Sequence, residues 1–308
     1  MTYIPTAEEI AAVKGQGFLR DKTTENCFNA RVITGNGKIT AEEAIAIAEA
    51  AKRFGSGEIA MTSRLTVEIQ KIPYENIAPL QAQLALAGLE TGGTGPRVRP
   101  IVSCKGTTCT FGLIDTFALS QAIHERFYKG YHHVKLPHKF KIAVGGCPNN
   151  CVKPDINDLG IIGRRIPRVD MDKCRGCKVC QIEKACPMEA AAVQAGKIAI
   201  DKTVCNDCGR CIGKCPFGAF ENYTAGYRIR IGGRWGKKTN RGRELDALFT
   251  REEEVLDAVE KAILLFREQG KQGERFADTI DRLGFENVQA QLLGNDLLAR
   301  RQEILADA

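Results

Sequence analysis

The 308-residue sequence predicts an α+β protein that carries a small metal-binding insert. Three observations carry that reading. Helix and strand patterns alternate through the first half of the chain. Twelve of the thirteen cysteines fall into three sets of four, and the tail from Glu252 onward has the period of an amphipathic helix. A hydrophobic share of 44% fits a globular chain with room for two or so domains.

The elements follow in order. Thr40-Ala-Glu-Glu43 is a capping box, in which the Thr40 hydroxyl accepts from the backbone while Glu43 reaches back to it. The helix it opens continues through Ala44, Ile45, Ala48 and Ala51 until Gly55. Residues 57–62 and 65–70 alternate like half-buried strands, and 74–87 is a second helix closed by Gly88. Helices on one face of a sheet are the expectation for this half-domain. Thr91-Gly-Gly-Thr-Gly-Pro96 links it to a second α/β unit. That unit reads as a buried strand over 98–103, a helix over 111–128, and strands over 139–145 and 156–162. In the tail, Val255, Val259, Ile263 and Phe266 share one helical face, which predicts packing on the core or on a partner.

The densest chemistry lies between Arg168 and Asn222. The runs are Cys174-x2-Cys177-x2-Cys180-x5-Cys186-Pro187 and Cys205-x2-Cys208-x2-Cys211-x3-Cys215-Pro216. Three cysteines at i, i+3 and i+6 can wrap three corners of a cubane. A fourth followed by proline is the run of bacterial two-cluster ferredoxins, where that fourth cysteine serves the other cluster. The wiring expected is therefore Cys174, Cys177, Cys180 and Cys215 for one [4Fe–4S] cluster, and Cys205, Cys208, Cys211 and Cys186 for the second. The five residues before Cys186 predict a small bulge. Two zinc sites are the plain alternative, but zinc leaves the third cysteine of each triplet and the repeated Cys-Pro unexplained. A disulfide framework needs export. The N-terminal Met1-Thr2-Tyr3-Ile4-Pro5 does not read as a signal segment, so a cytoplasmic protein with reduced thiols is expected. No apolar run approaches a membrane span.

The remaining four cysteines are split. Cys104-x4-Cys109 follows one predicted strand and Cys147-x3-Cys151 follows another, within Gly145-Gly-Cys-Pro-Asn-Asn-Cys151. Two strand ends can present four thiolates to one cubane, with the glycines permitting close backbone approach. Lys139 and Lys141 are two apart on a predicted strand and so face the same way, opposite Phe140, Ile142 and Val144. Alone, alternating lysines are ordinarily a solvated face. Beside the Gly-Cys-Pro segment they make a positive field suited to an oxyanion.

At these residues the chain resembles the sirohaem-dependent nitrite/sulfite reductase superfamily. The shared features are the two split cysteine pairs, Phe28-Asn-Ala-Arg31, Ala60-Met-Thr-Ser-Arg64 and Leu136-Pro-His-Lys-Phe-Lys141. The form resembled is the single-module one with an inserted two-cluster ferredoxin, as in the catalytic C subunit of anaerobic sulfite reductases. The resemblance covers most of residues 20–245, although Cys104 and Cys109 enclose four residues where many members have five. It implies a ferredoxin-like half-domain over 1–95 and a sirohaem and [4Fe–4S] module over 96–167 and 223–308. The inserted 2[4Fe–4S] ferredoxin domain then spans 168–222. It further implies three [4Fe–4S] clusters, with Cys151 bridging the cluster of Cys104, Cys109 and Cys147 to the sirohaem iron. Arg31, Arg64, Lys139 and Lys141 are implied to bind the anion.

The implied activity is the six-electron reduction of sulfite to sulfide by a catalytic subunit. Nitrite reduction to ammonia, or a haem-free electron-transfer subunit, are the alternatives. No Walker loop or dinucleotide fingerprint is present, so a flavin or iron–sulfur subunit, or a ferredoxin, is expected to deliver the electrons. Family enzymes pair two modules, so a homo- or hetero-oligomer is expected. The chain's formal net charge is +7, and part of it is concentrated in 222–243, which has no acidic residue. Arg228, Arg230, Arg234, Lys237 and Arg243 there are read as holding sirohaem carboxylates, in preference to nucleic acid or plain solvent. The four histidines form no metal spacing, and Cys27 reads as a small packed thiol.

Overall fold

The computed structural model describes residues 3–306. In the N-terminal part, α1 (Ala7–Gly15), β1 (Phe18–Arg20), β2 (Cys27–Val32), α2 (Ala41–Phe54), β3 (Ile59–Met61), β4 (Val67–Pro73) and α3 (Ile77–Leu86) follow one another. The expected capping box opens α2: Glu43 N–H donates to the Thr40 hydroxyl, and Thr40 N–H donates to the Glu43 carboxylate. The strands make an antiparallel sheet in the order β1-β2-β4-β3. Strand β2 buries alternate residues. Phe28, Ala30 and Val32 meet Ile47 and Ala51 of α2 and Leu80 and Leu84 of α3 in one core. The same alternation turns Arg31 away from the helices, opposite Glu68 of β4.

The second part holds β5 (Val102–Ser103), α4 (Thr116–Ile123), β6 (Ile142–Gly145), β7 (Leu159–Arg168), β10 (Asn222–Ile231) and β11 (Arg243–Glu244). Its sheet runs β11-β10-β7-β6-β5, with β5, β6 and β7 parallel and β10 and β11 antiparallel to their neighbours. All four residues of β6 are buried, as suits a central parallel strand. This strand is shorter than expected. Phe140 pairs with Val98 in a separate bridge, and the chain is reset at Lys141 before the regular ladder begins. The helix expected over 111–128 also starts later, at Thr116, where Asp115 caps it by accepting from Ala118 N–H.

Strand β10 is an element that the sequence pattern does not predict. The basic stretch pairs along the whole of β7, from Asn222 opposite Arg168 to Ile231 opposite Leu159. Between these two facing ends lies the insert, with α5 (Gln181–Ala185) and a hairpin of β8 (Ala191–Gln194) and β9 (Lys197–Ile200). The five residues before Cys186 therefore coil into α5, and no bulge forms there.

The tail is structural. Helix α6 (Glu252–Gln269) is buried along its length, with Val255, Val259, Ile263 and Phe266 fully inside the main core. Phe266 meets Phe140 and Phe276 at ring-centroid distances of 5.9 and 5.3 Å, which joins the tail to the Lys139–Lys141 segment. Helices α7 (Phe276–Leu283), α8 (Phe285–Leu293), α9 (Asp296–Ala299) and α10 (Arg301–Ala306) close over it. Among the described residues no helix is long and apolar enough to cross a membrane.

Candidate active site

The C-terminal ends of β5 and β6 lie side by side because Val102 pairs with Ala143 and Ser103 with Val144. Cys104 follows the first strand, and Cys147 and Cys151 follow the second. Two glycines set the approach of the loops. A Cβ on Gly106 would stand 2.9 Å from the Gly146 Cα, and one on Gly146 would stand 2.8 Å from the Gly106 Cα. Gly146 N–H donates to Cys104 Sγ at 3.1 Å. Burial raises the Cys147 thiol, and the nearby Cys104, Cys151 and Cys109 thiols raise it further, so all four occupy one neighbourhood.

Cys151 is the exposed member of this set. Asn150 and Lys153 near it adopt left-handed backbone at φ 52° and 51°, a costly state for non-glycine residues that gathers at functional sites. Cys151 lines a cavity of about 740 Å³, together with Arg64, Lys141, Asn150, Trp235 and Arg241. Among the described residues no group of three or more His, Cys, Asp or Glu is set to hold a single metal ion. Thiolates around a cubane each bind a different iron, so they stand wider apart than the ligands of one ion.

The polar wall is heavily cationic. Arg64 donates from Nη1 to Asn157 Oδ1 at 2.9 Å and from Nη2 to the carbonyls of Pro100 and Ile142 at 2.6 and 3.2 Å. Its Nε is buried with no protein partner, and burial brings its pKa down to about 10. Lys141 is lowered to about 8, first by burial and then by Arg64, Arg275 and Lys139. Lys139 is lowered chiefly by burial and then by Arg275 and Arg99. Arg31 lies behind this wall, 3.5 Å from Glu68 and within electrostatic reach of Arg99 and Lys139. His138 accepts from the Lys139 N–H at 2.7 Å through its ring Nδ1. The structure adds Arg99, Asp158, Arg275 and Trp235 to the candidates that the sequence offers. No local pattern marks them, since Asp158 and Arg275 meet across 117 residues of sequence.

The structure gives most cations of the basic stretch carboxylate partners within the protein. Arg228 and Arg230 turn to Glu244 at 3.7 and 3.2 Å. Arg234 donates to both carboxylate oxygens of Asp278 at 2.7 Å, and Arg243 lies over the Phe285 ring and 3.7 Å from Asp281. Lys237 is exposed. Strand β11 supplies Arg228 and Arg230 with a carboxylate and helix α7 supplies Arg234 and Arg243, while Trp235 and Arg241 of the stretch line the cavity. Gly233 permits this by pressing against the Asp155 and Asn157 carbonyls.

In the insert, the Cys174, Cys180, Cys186, Cys211 and Cys215 side chains pack around a core of Ile182, Ala191, Ile198, Ala219 and Phe220. Burial pushes the Cys211 thiol up to about 11, and Cys208, Cys205 and Cys186 add to the rise. Cys186 thus lies within electrostatic reach of the later triplet. Partial burial opposes ionisation at Cys174, but the N–H groups of Gly176 and Ile198 and the Lys197 charge outweigh it and hold the thiol low. Cys27 is half-buried at the start of β2, an inner strand of the N-terminal sheet.

Comparison with known proteins places this geometry. The profile described as "Nitrite and sulphite reductase 4Fe-4S domain" matches residues 94–298, and "Nitrite/Sulfite reductase ferredoxin-like half domain" matches 20–87. The chain is 32% identical over 247 residues to coenzyme F420-dependent sulfite reductase of Methanocaldococcus jannaschii, covering 79% of this chain and 38% of that protein. An uncharacterised protein of the same organism is 32% identical over 287 residues, with 86% and 90% covered. The C subunit of the anaerobic sulfite reductase of Salmonella typhimurium is 29% identical over 210 residues, with 62% and 60% covered. The chain therefore spans only part of two of these three relatives. The fold of dissimilatory sulfite reductase I superposes with a TM-score of 0.69 at 22% identity, over 86% of this chain and 68% of that one. The chain belongs to the nitrite and sulfite reductase family.

Proposed function

We propose that this chain is the catalytic part of a sulfite reductase, in which sulfite is reduced by six electrons to sulfide. The observation that carries the reading is exposed Cys151 lining the same cavity as Arg64 and Lys141. Family membership implies sirohaem and a [4Fe–4S] cluster. The residues present fit both. Four thiols converge at two strand ends, the Arg64 Nε and Asn150 Oδ1 are buried without a protein partner, and the cavity is rimmed by cations. Cys104, Cys109, Cys147 and Cys151 would hold the cluster, with Cys151 reaching the haem iron. The pair would supply electrons and an open iron position to the anion.

The chain's own residues do the rest. Arg64 is locked by three acceptors, none of them charged, so its positive charge stays directed at an anion without reorganisation. Burial strengthens that attraction, because the field is not screened by water. Lys141 holds a proton at neutral pH yet can release it, since its pKa is close to 8, which suits it to hand protons to departing oxygens. Lys139 and Arg31 add charge from behind.

In the insert, the proposal assigns Cys174, Cys177, Cys180 and Cys215 to one further cluster and Cys205, Cys208, Cys211 and Cys186 to another. The approach of Cys186 to the later triplet supports that wiring. The three-part division at 95/96, 167/168 and 222/223 is part of the same reading, supported by the facing ends of β7 and β10. A flavin or iron–sulfur donor would deliver electrons to the insert, and self-association or a sister subunit would complete the assembly. The test is sulfide formation from sulfite by the iron-loaded protein with a reduced dye, with nitrite turnover measured alongside. Cluster absorbance with no haem band and no sulfide would sink the proposal.

A further inference from the structure

We propose that Asp158 and Arg275 form a buried positioning pair that fixes Lys141 and balances the cations of the anion site. The inference rests on the functional reading above. Asp158 is fully buried immediately before β7. Both its oxygens accept from Arg275 Nη2, at 2.8 and 2.9 Å, and Oδ2 also accepts the Lys141 backbone N–H at 2.9 Å. The next residue, Leu159, donates its N–H to the Lys141 carbonyl at 3.0 Å. Lys141 is therefore gripped on both sides of its Cα by consecutive residues, which aims its side chain at the cavity.

The grip has an electrostatic counterpart. Lys141 faces Lys139 and His138 on its own segment, Arg64 from the β3–β4 loop and Arg275 from the start of α7. Across the cavity stand Lys153 and the Asp155–Arg241 pair, 2.9 Å apart. Arg99 and Arg31 lie behind. Asp155, also buried, is matched by Arg241 and Glu68 by Arg31, whereas Asp158 is the fully buried carboxylate that contacts both Arg275 and the Lys141 backbone. A lone buried charge would be costly, and the Arg275 guanidinium, whose Nη2 is shared between both carboxylate oxygens, compensates for it. Arg275 is supplied by the C-terminal helices, so the tail completes the site electrostatically as well as by packing. Of the two opposite effects on Lys141, the Arg275 charge acts more strongly than the Asp158 charge.

The signs of the pH effects distinguish this role from simple support. Sulfite is titrated into the haem-loaded protein and followed by visible absorption between pH 6 and 10. In the unsubstituted protein, affinity falls as pH rises through the Lys141 ionisation. Asp158→Asn removes the charge that favours protonated Lys141, so the fall moves to lower pH by roughly one unit, about tenfold weaker binding on that limb. Asp158→Asn/Arg275→Met removes both charges, leaves no unpaired buried ion, and moves the fall to higher pH. It also serves if the single variant does not fold. A fall at the original pH in whichever variant folds overturns the inference. Absence of sulfite binding in the unsubstituted protein overturns the functional reading instead.

Discussion

Gly146→Ala tests whether the two cysteine loops must touch. The added methyl would stand 2.8 Å from the Gly106 Cα, 3.2 Å from Thr116 Cγ2 and 3.4 Å from Cys104 Sγ. The first of these is backbone, so no rotamer change relieves it. Gly106 is itself wedged against Thr116, with 2.6 Å to Cγ2 for a Cβ placed there, which blocks retreat on that side. The loops must part by several tenths of an ångström, which by the usual cost of overpacking amounts to about 1–3 kcal/mol. That displacement moves Cys104 relative to Cys147 and also lengthens the Gly146 N–H bond to Cys104 Sγ. The expected result is loss of one cluster's share of iron and of the haem, with the insert's clusters retained. Iron and acid-labile sulfide content, together with the haem absorption band, read this directly. Gly15→Ala, where nothing lies within 4 Å of the new methyl, is the control and should retain everything. Full iron and haem in Gly146→Ala would refute the claim that glycine is required by contact.

Four further outcomes are expected. Cys151→Ser should purify with the insert's clusters but without haem, as absorption and iron analysis will show; haem retained at full occupancy contradicts its assigned role. Lys141→Arg should keep sulfite affinity flat through pH 8–9, where the unsubstituted protein loses affinity as Lys141, lowered to about 8 chiefly by burial, gives up its proton. Glu244→Gln leaves Arg164, Arg228 and Arg230 without their shared carboxylate, and Arg164 is buried while holding the Asn206 carbonyl of the insert. Because Glu244 is partly exposed, a loss of about 1–3 kcal/mol is expected, short of that for a fully buried pair, with faster proteolysis within 168–222. Phe266→Ala empties the centre of the Phe140–Phe266–Phe276 trio and should cost about 3–5 kcal/mol in thermal or denaturant unfolding.

Local signals are readable from the chain because their partners are close in sequence. The Thr40–Glu43 capping box and the start of α2 are an interaction over three residues, and the tail's apolar face has helical period. Elsewhere the pattern misleads. Arg and Ile alternate over 228–231, a stretch read for its cations and not as a strand, whereas it belongs to strand β10, where Arg228 and Arg230 face Glu244 of β11. Spacing puts Lys139 and Lys141 on one regular strand. In the structure Phe140 bridges to Val98, and only Lys141 joins Arg64 on the cavity wall.

The sequence by itself determined the α+β class, the family resemblance and the grouping of cysteines, because spacing along a chain limits which thiols can share a small volume. Tertiary structure alone decided which cations serve the cavity. A charge's availability depends on what lies opposite it: β11 sets Glu244 against Arg228 and Arg230, and α7 sets Asp278 against Arg234. Tertiary structure also drew Asp158 and Arg275 together from 117 residues apart, a meeting that no local pattern encodes.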